Sequence, residues 1–475
     1  MTCHFIPPYL LRRLTAQTAD QRVIDCGELT LRVDEQLRAR REAPPKVFRS
    51  VRAADESRRV IHNAANTEDL PGVVARGDHD PATGDPAVDE AHASAGQVWD
   101  VFADHFGRSS VDGSGQAISV TVHYGQDYDN AFWDGTQLVF GDGDGEIFER
   151  FTKPMDVMAH EFTHGVTQFT AGLAYVGQSG ALNESVSDAF AAMTKQRALG
   201  QTADRADWLI GEGLFRPGVN AKALRSMTDP GSAYDDPRLG RDPQVGSMDA
   251  YVDTQDDNGG VHINSGIPNR AFARAALGIG GHSWEAPGRV WYDALTAGEV
   301  SAEATFAEFA QATVNSAIRL FADNPTIVEQ IRSAWAEVGV PIDQAPVPIV
   351  GPASAGPDLT GPDFPSQDFP GPDPADPGLT RSGERVSVRR SGGVAGQVRL
   401  GELDLDSEPL GPEVRSLMSR VNLRDLTATT SMPDRFVYTV EYRHYQVTLP
   451  EQDLTPELHR VVQIVLGARR DIDLS

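Results

Sequence analysis

A run of prolines limits what this chain can fold into more than any other feature. From 343 to 379 the sequence is "DQAPVPIVGPASAGPDLTGPDFPSQDFPGPDPADPGL", with ten prolines in 37 residues and "GPD" three times. Proline lacks an amide hydrogen and has a fixed φ, so neither a helix nor a central strand can cross such a stretch. The segment is expected to be a semi-rigid extended linker, reaching up to ~115 Å at ~3.1 Å per residue. It divides the chain in two. The 475 residues also exceed the ~250–300 at which a single core stops growing.

Ahead of the linker the hydrophobic period changes from two to 3.6. "AISVTVHYG" (117 to 125) alternates like a strand, and "QLVFGDGDG" (137 to 145) is expected to be a second strand entering a glycine and aspartate turn. From Pro154 onward, "PMDVMAHEFTHGVTQFTA" and "ALNESVSDAFAAMTKQ" take helical period, as does 286 to 338. Beyond the linker, "RSGGVAGQVRLGELDL" and "DRFVYTVEYRHYQVTL" have the look of strands and "TPELHRVVQIVLGAR" of a helix. The expected fold class is α+β. A leader covers 1–50, a β-rich lobe 51–153 and an α-rich lobe 154–342, with the linker over 343–379 and a small α+β unit over 380–475.

The net charge of -26 is uneven. Residues 1 to 52 carry ten basic and six acidic side chains, whereas 53 to 342 carry 19 basic and 42 acidic. Such an acidic body argues against nucleic acid as a partner and is read chiefly as a solubility device. No run of ~18 apolar residues occurs, and the first apolar patch is broken by Pro7 and Pro8, so neither a membrane span nor a standard signal peptide is expected. Cys3 and Cys26 are the only cysteines, which leaves the main body without a disulfide framework. These features suit the cytoplasm, or export by a route without a standard signal.

The chemistry starts at "HEFTH", residues 160 to 164. On a helix, His160 and His164 project from one face and can converge on one ion, while Glu161 points about a quarter-turn away, within reach of a metal-bound water. The pattern arises by chance in about one chain in fifty of this length, so it needs support. Twenty residues past His164, "NESVSD" supplies Glu184 and Asp188, again four apart. Glu184 can complete a two-histidine, one-glutamate site that leaves a fourth position open, and Asp188 can hold the second ring nitrogen of a ligand histidine.

These residues, with "NAFWDG" (130 to 135), "HEFTHGVTQFTAGLAY" (160 to 175), "GALNESVSD" (180 to 188), "LRSMTDP" (224 to 230) and "DNGGVHINSGIPN" (257 to 269), make a chain that resembles the thermolysin-like metallopeptidases, more narrowly their protealysin-type branch. The resemblance implies a two-lobed zinc endopeptidase with the zinc helix between the lobes. It implies zinc on His160, His164 and Glu184, with Glu161 as general base. His262 and Tyr175 are implied to stabilise the oxyanion, with Asp257 orienting His262. Arg225 is implied to contact a substrate carbonyl, and Asn130 with the Ala131 backbone to position the peptide. Phe148, Phe151, Val157 and Leu224 match an apolar pocket for the residue on the carboxyl side of the cut bond. The implied partners are peptide or protein substrates.

For calcium the match is poor. Asp156, Asp207 and Glu212 fall where the family often supplies carboxylates, but Lys195, Leu209 and Lys222 stand where oxygen ligands are expected, and calcium needs six to eight oxygens. The beginning, "CHFIPPYLLRRL", resembles a protealysin-type propeptide, with Tyr9 and Leu10 expected to plug the cleft and self-cleavage expected near "VFRSVRAADESRR". Cys3 is considered as a thiolate ligand of the metal. The C-terminal unit resembles emfourin, the proteinaceous inhibitor of protealysin, so leader and tail are both expected as intramolecular ligands. A non-catalytic peptide-binding scaffold and an exopeptidase are the rival readings, and an intact Glu161, Tyr175 and His262 argues against the scaffold.

Overall fold

The computed structural model describes residues 3–41 and 58–342 and, between 385 and 467, the strands and helices named below. The linker, most of the expected cleavage segment and residues 468–475 lie outside the described residues. Two compact units are separate, 1–354 and 355–475.

The first unit opens with β1 (Cys3–His4), α1 (Pro8–Gln17) and α2 (Gln21–Arg41). A β-rich part follows, with β2 (Arg59–Asn63), β3 (Val73–Gly77), α3 (Pro86–Phe106), β4 (Ile118–Val122), β5 (Ala131–Trp133) and β6 (Leu138–Phe140). These strands form one sheet in the order β1-β5-β6-β4-β2-β3, so the leader strand β1 extends the sheet by pairing antiparallel with β5. Helix α3 starts where Asp85 accepts from the Ala87 amide beside Pro86, and it ends at Gly107 in the left-handed region. Its Phe102 meets the rings of Phe162 and Phe190, each at 5.0 Å, and so ties the sheet to the two helices that follow.

Those helices are α4 (Met155–Gln168) and α5 (Gly177–Leu199). Pro154 precedes α4 as its cap instead of opening it. Both are buried around their whole circumference, from Asp156 to Thr167 and from Ser179 to Gln196. An apolar stripe therefore does not describe them; their polar residues face one another in the interior and must find partners there. The α-rich part continues through short pairs β7 (Leu209–Ile210) with β8 (Arg225–Ser226) and β9 (Asp235–Asp236) with β10 (Gly240–Arg241). Helices α6 (Asp257–Asn264), α7 (Gly266–Ile279), α8 (Ala286–Thr296), α9 (Phe306–Leu320) and α10 (Pro325–Glu337) complete it. The Thr305–Glu308 capping box opens α9 within the expected helical region 286 to 338.

The second unit contains β11 (Arg385–Gly392), β12 (Arg399–Asp404), α11 (Gly411–Met418), β13 (Phe436–Tyr442), β14 (Tyr445–Pro450) and α12 (Pro456–Gly467). Its antiparallel sheet has the order β12-β11-β13-β14, with α12 packed on it over Val386, Val388, Val440, Leu458 and Val461. The α+β class holds for both units.

Candidate active site

Helix geometry alone aligns His160 and His164, but the packing of α4 on α5 decides what they face. His160 Nδ1 lies 2.8 Å from Asp188 Oδ1, a carboxylate that can only accept, so this nitrogen carries a proton. His164 Nδ1 lies 2.8 Å from Asn183 Oδ1, and the amide orientation of Asn183 is set by its Nδ2 donating to the Leu173 carbonyl. Both Nε2 atoms then turn inward, 3.0 Å apart. Glu184 brings Oε2 to 3.4 Å from His160 Nε2 and Oε1 to 3.5 Å from His164 Nε2.

Lone pairs converging in a buried space require something positive between them. The separations of 3.0–3.5 Å are close to the ~3.3 Å edge of a tetrahedron built on ~2.0–2.1 Å bonds to zinc. The His160, Glu161 and His164 donor atoms lie within 4.8 Å of one another, the sole such cluster found among the described residues. The donor set therefore fits a zinc ion. Electrostatics agree. Burial disfavours charge on His160, but Asp188 and Glu184 outweigh it and lift the imidazole to about 9, so the surroundings favour positive charge at this place. Burial also opposes the negative charge on Glu184, yet His262, His160 and His164 hold it well below the carboxylate range.

Glu161 lies beside the two histidines, within 4.8 Å of their donor atoms, and makes contacts of its own. Its Oε2 accepts from the Trp133 amide at 2.8 Å, while Oε1 is buried with no hydrogen-bond partner. Burial lifts its carboxyl to about 8 despite the neighbouring His160. A carboxylate of this kind can accept a proton near neutrality and release it again.

His262 approaches from α6. Residues Asp257 to Gly260 all have φ between 52° and 85°, a left-handed turn in which a Cβ on Gly260 would meet Asn264 Nδ2 at 2.6 Å. The turn folds Asp257 back onto its own helix, where Oδ2 accepts from the His262 amide at 2.8 Å and Oδ1 from His262 Nδ1 at 2.6 Å. His262 Nε2 faces the His4 carbonyl at 3.0 Å and Tyr175 Oη at 3.2 Å. Acceptors face both nitrogens, and although burial opposes a charge on the ring, Asp257 and Glu184 raise its pKa above the ordinary value. Tyr175 donates to Glu184 Oε1.

The leader lies in the cleft beside these groups. Phe5 N donates to the Ala131 carbonyl at 3.1 Å. Asn130 accepts from Ile6 N at 2.8 Å and donates to the Ile6 carbonyl at 3.2 Å. Arg225 Nη1 donates to the Phe5 carbonyl at 3.3 Å, and its guanidinium lies 4.8 Å from the Phe5 ring centre. That ring meets His160 edge-on at 5.1 Å and approaches Gly211 beside Leu224. The plug is therefore Phe5, not Tyr9 or Leu10: Leu10 is buried on α1 within the core, and Tyr9 bonds to Tyr234. The Cys3 backbone pairs with Trp133, whereas its side chain lies outside the described residues, as do residues 47–57 of the expected cleavage segment. Phe148, Phe151, Val157 and Leu224 are buried in the same core cluster as Phe5.

At the expected calcium carboxylates an ammonium is in place. Lys195 Nζ lies 2.9 Å from Asp207 Oδ2, 2.8 Å from Glu212 Oε2 and 3.4 Å from the Leu209 carbonyl. Asn183, Asn269, Asp34 and Thr30 were not legible in the sequence. Asp34 accepts from Tyr128 Oη at 2.5 Å and Asn130 Nδ2 at 3.1 Å, and Thr30 Oγ1 accepts from the Asp129 amide at 3.0 Å, which fastens α2 to the cleft edge. No local pattern marks such contacts: the partners of Asp34 and Thr30 lie 94 to 99 residues away, that of Asn269 lies 81 away, and that of Asn183 stands on a different helix.

Comparison with known proteins gives the same reading. Residues 50–168 match the family described as thermolysin metallopeptidase, catalytic domain; residues 171–340 match its alpha-helical domain; and residues 388–466 match Emfourin. The chain is 48% identical over 342 residues to an extracellular metalloprotease of Pectobacterium carotovorum subsp. carotovorum, spanning 72% of this chain and 97% of that one. It is 40% identical to Protease PrtS of Photorhabdus sp. (strain Az29), over 71% and 92% of the two chains. Among solved structures it resembles the precursor of protealysin from Serratia proteamaculans, with TM-score 0.65 and 47% identity, covering 71% of this chain and all of that one. The chain belongs to the thermolysin-like metallopeptidases: it is a metalloendopeptidase of the protealysin type that carries its own leader and an Emfourin-type C-terminal domain.

Proposed function

We propose that His160, His164 and Glu184 hold a zinc ion, and that the surrounding residues cleave peptide bonds on the amino side of apolar residues. Zinc, when bound, supplies a water of lowered pKa and polarises the substrate carbonyl. Glu161 takes the proton from the attacking water and passes it to the departing nitrogen. His262 and Tyr175 donate to the carbonyl oxygen as it gains charge, a contribution of about 3–4 kcal/mol to the barrier for one well-placed donor. Asp257 keeps His262 charged and aimed, and Asp188 does the same for His160 and Arg225. Asn130, the Ala131 backbone and Arg225 align the substrate as an added strand. Phe148, Phe151, Val157 and Leu224 shape the apolar pocket.

The observation that carries this reading is the convergence of three lone-pair donors beside a carboxylate oxygen, Glu161 Oε1, that is buried and unpartnered. Glu161→Gln tests it: bound zinc stays stoichiometric while hydrolysis of a long blocked peptide falls by about 10³ or more. Undiminished turnover rejects the assignment. A library profile dominated by charged residues after the cut bond rejects the apolar preference.

The leader is read as an inhibitor removed by self-cleavage near 47–59; a precursor whose size is unaffected by Glu161→Ala contradicts this. The C-terminal unit, tethered at a millimolar effective concentration, is read as a second restraint. Deleting 343–475 raises the activity of the leader-free enzyme if so, and leaves turnover unchanged if the unit serves targeting or substrate binding. The Lys195 ammonium supports a calcium-independent fold at that position. No helix among the described residues is long and apolar enough to cross a membrane, and a relative called extracellular supports export over a cytoplasmic location.

A further inference from the structure

A plug needs only apolar contact, but the leader has more: its backbone passes the catalytic side chains in one defined direction, with every polar group from the His4 carbonyl to the Ile6 carbonyl taken. The His4 carbonyl accepts from His262, Phe5 N donates to Ala131, the Phe5 carbonyl accepts from Arg225, and Ile6 N and O both meet Asn130. The carbonyl at His262 belongs to the residue just before the buried apolar ring. Glu161 is fastened to the amide of Trp133, the β5 residue opposite Cys3, and keeps its other oxygen unpartnered. One peptide bond therefore lies among the reacting groups with its nitrogen and both flanking carbonyls held: His4–Phe5. A chain running the other way would present a different set of groups to His262, Arg225 and Asn130.

An occupied cleft can cut only its occupant. While Phe5 sits against His160 and Arg225, no bond near 47–59 of the same molecule can enter. We propose that the leader is docked as a substrate, and that the enzyme's first act on itself is to hydrolyse His4–Phe5, ahead of any cut near 47–59. The inference rests on the reading that leader removal is self-catalysed. Water adds across the bond: its oxygen joins the His4 carbonyl carbon, the C–N bond breaks, and Glu161 carries a proton from the water to the departing nitrogen. The products are a carboxylate on His4 and an ammonium on Phe5. The severed piece keeps the short β1–β5 pairing and the buried His4 side chain, which lies 3.3 Å from Asp34 and edge-on to Phe132, while the remainder of the leader stays fastened through Asp34, Thr30 and the buried face of α1.

The test uses the full chain. Purified precursor is given zinc and its N-terminus is followed by mass spectrometry, beside Glu161→Ala and Phe5→Asp. The expected result is a chain beginning at Phe5 before any chain lacking the whole leader, with neither product from Glu161→Ala and no cut at this bond in Phe5→Asp. A measurement independent of turnover is hydrogen exchange in zinc-free Glu161→Ala: the Phe5 and Ile6 amides are protected, and adding Phe5→Asp speeds their exchange at least tenfold. Three results overturn the inference. If the released leader still carries His4 joined to Phe5, the order proposed is wrong while self-removal stands. If the chain starting at Phe5 forms equally in Glu161→Ala, another protease makes it. If neither bond is ever cut by the zinc-loaded wild type, self-removal and this inference fall together.

Discussion

Asp188 is the residue on which ligand orientation and stability meet. Its two oxygens receive four donors: Oδ1 from His160 Nδ1 and Arg225 Nη2, Oδ2 from Arg225 Nε and Asn269 Nδ2, all at 2.8 Å. Burial opposes its charge, yet Arg225 and His160 hold the carboxyl down at about 2. In Asp188→Asn one acceptor becomes an amide NH2, which faces two donors whichever way it is flipped. Arg225, 4% exposed, loses its counter-charge. Removing one partner of a buried pair costs about 3–5 kcal/mol, and losing the group that orients a ligand histidine weakens metal binding about 10–100-fold. Both effects are expected from Asp188→Asn. Urea denaturation in a Glu161→Ala background, where self-cleavage is silent, measures the first; competition with a chromogenic chelator measures the second. Adding Arg225→Met should recover part of the stability, because an apolar replacement of a buried pair is often neutral. A loss below about 1 kcal/mol together with unchanged zinc affinity refutes the reasoning.

Three further outcomes follow from named contacts. His123 lies between Asp142 (2.8 Å) and Asp85 (3.0 Å), and the hydrogen bond to Asp142 with the charge of both carboxylates raises it to about 9. A raised histidine contributes stability in full below its unfolded pKa of ~6.5 and loses it as pH rises through the folded value, so His123→Gln should cost about 1–2 kcal/mol at pH 6 and little near pH 10. Equal losses at both pH values contradict this. Lys195→Met takes the ammonium away from Asp207 and Glu212 and removes one of the two cations that act on the buried Asp156; a loss of about 1–2 kcal/mol is expected, partly restored by millimolar calcium, while the wild-type Tm does not respond to calcium. Asp34→Ala removes the acceptor of Tyr128 Oη and Asn130 Nδ2, and at about 2 kcal/mol should let the unprocessed precursor hydrolyse a short blocked peptide roughly thirtyfold faster.

The histidine pair and the carboxylate proposed as the third ligand could be placed on their helices from the chain because helical geometry is local. Four residues separate His160 from His164 and Glu184 from Asp188, and a helix aligns each pair wherever it is placed. Asp257 was matched to His262 by resemblance, and the left-handed turn over Asp257–Gly260 that swings the carboxylate onto the histidine is consistent with the glycines at 259 and 260. Phe5 was not legible. It is an apolar residue before two prolines, and Tyr9 and Leu10 look equally suited to a cleft; its pairing with Ala131 joins positions over a hundred residues apart.

What the chain determined by itself was therefore what depends on neighbours along it: the order of strand-rich and helix-rich regions, and the helical pairs His160 with His164 and Glu184 with Asp188. Tertiary structure alone decided which inward-facing groups meet. It turned His164 with Asn183, put an ammonium among the calcium-type carboxylates, and ran the leader through the cleft in the direction of a substrate. The physical reason is that spacing sets the face on which a side chain stands, whereas its partner, charge state and exposure are set by whichever distant segment packs against that face.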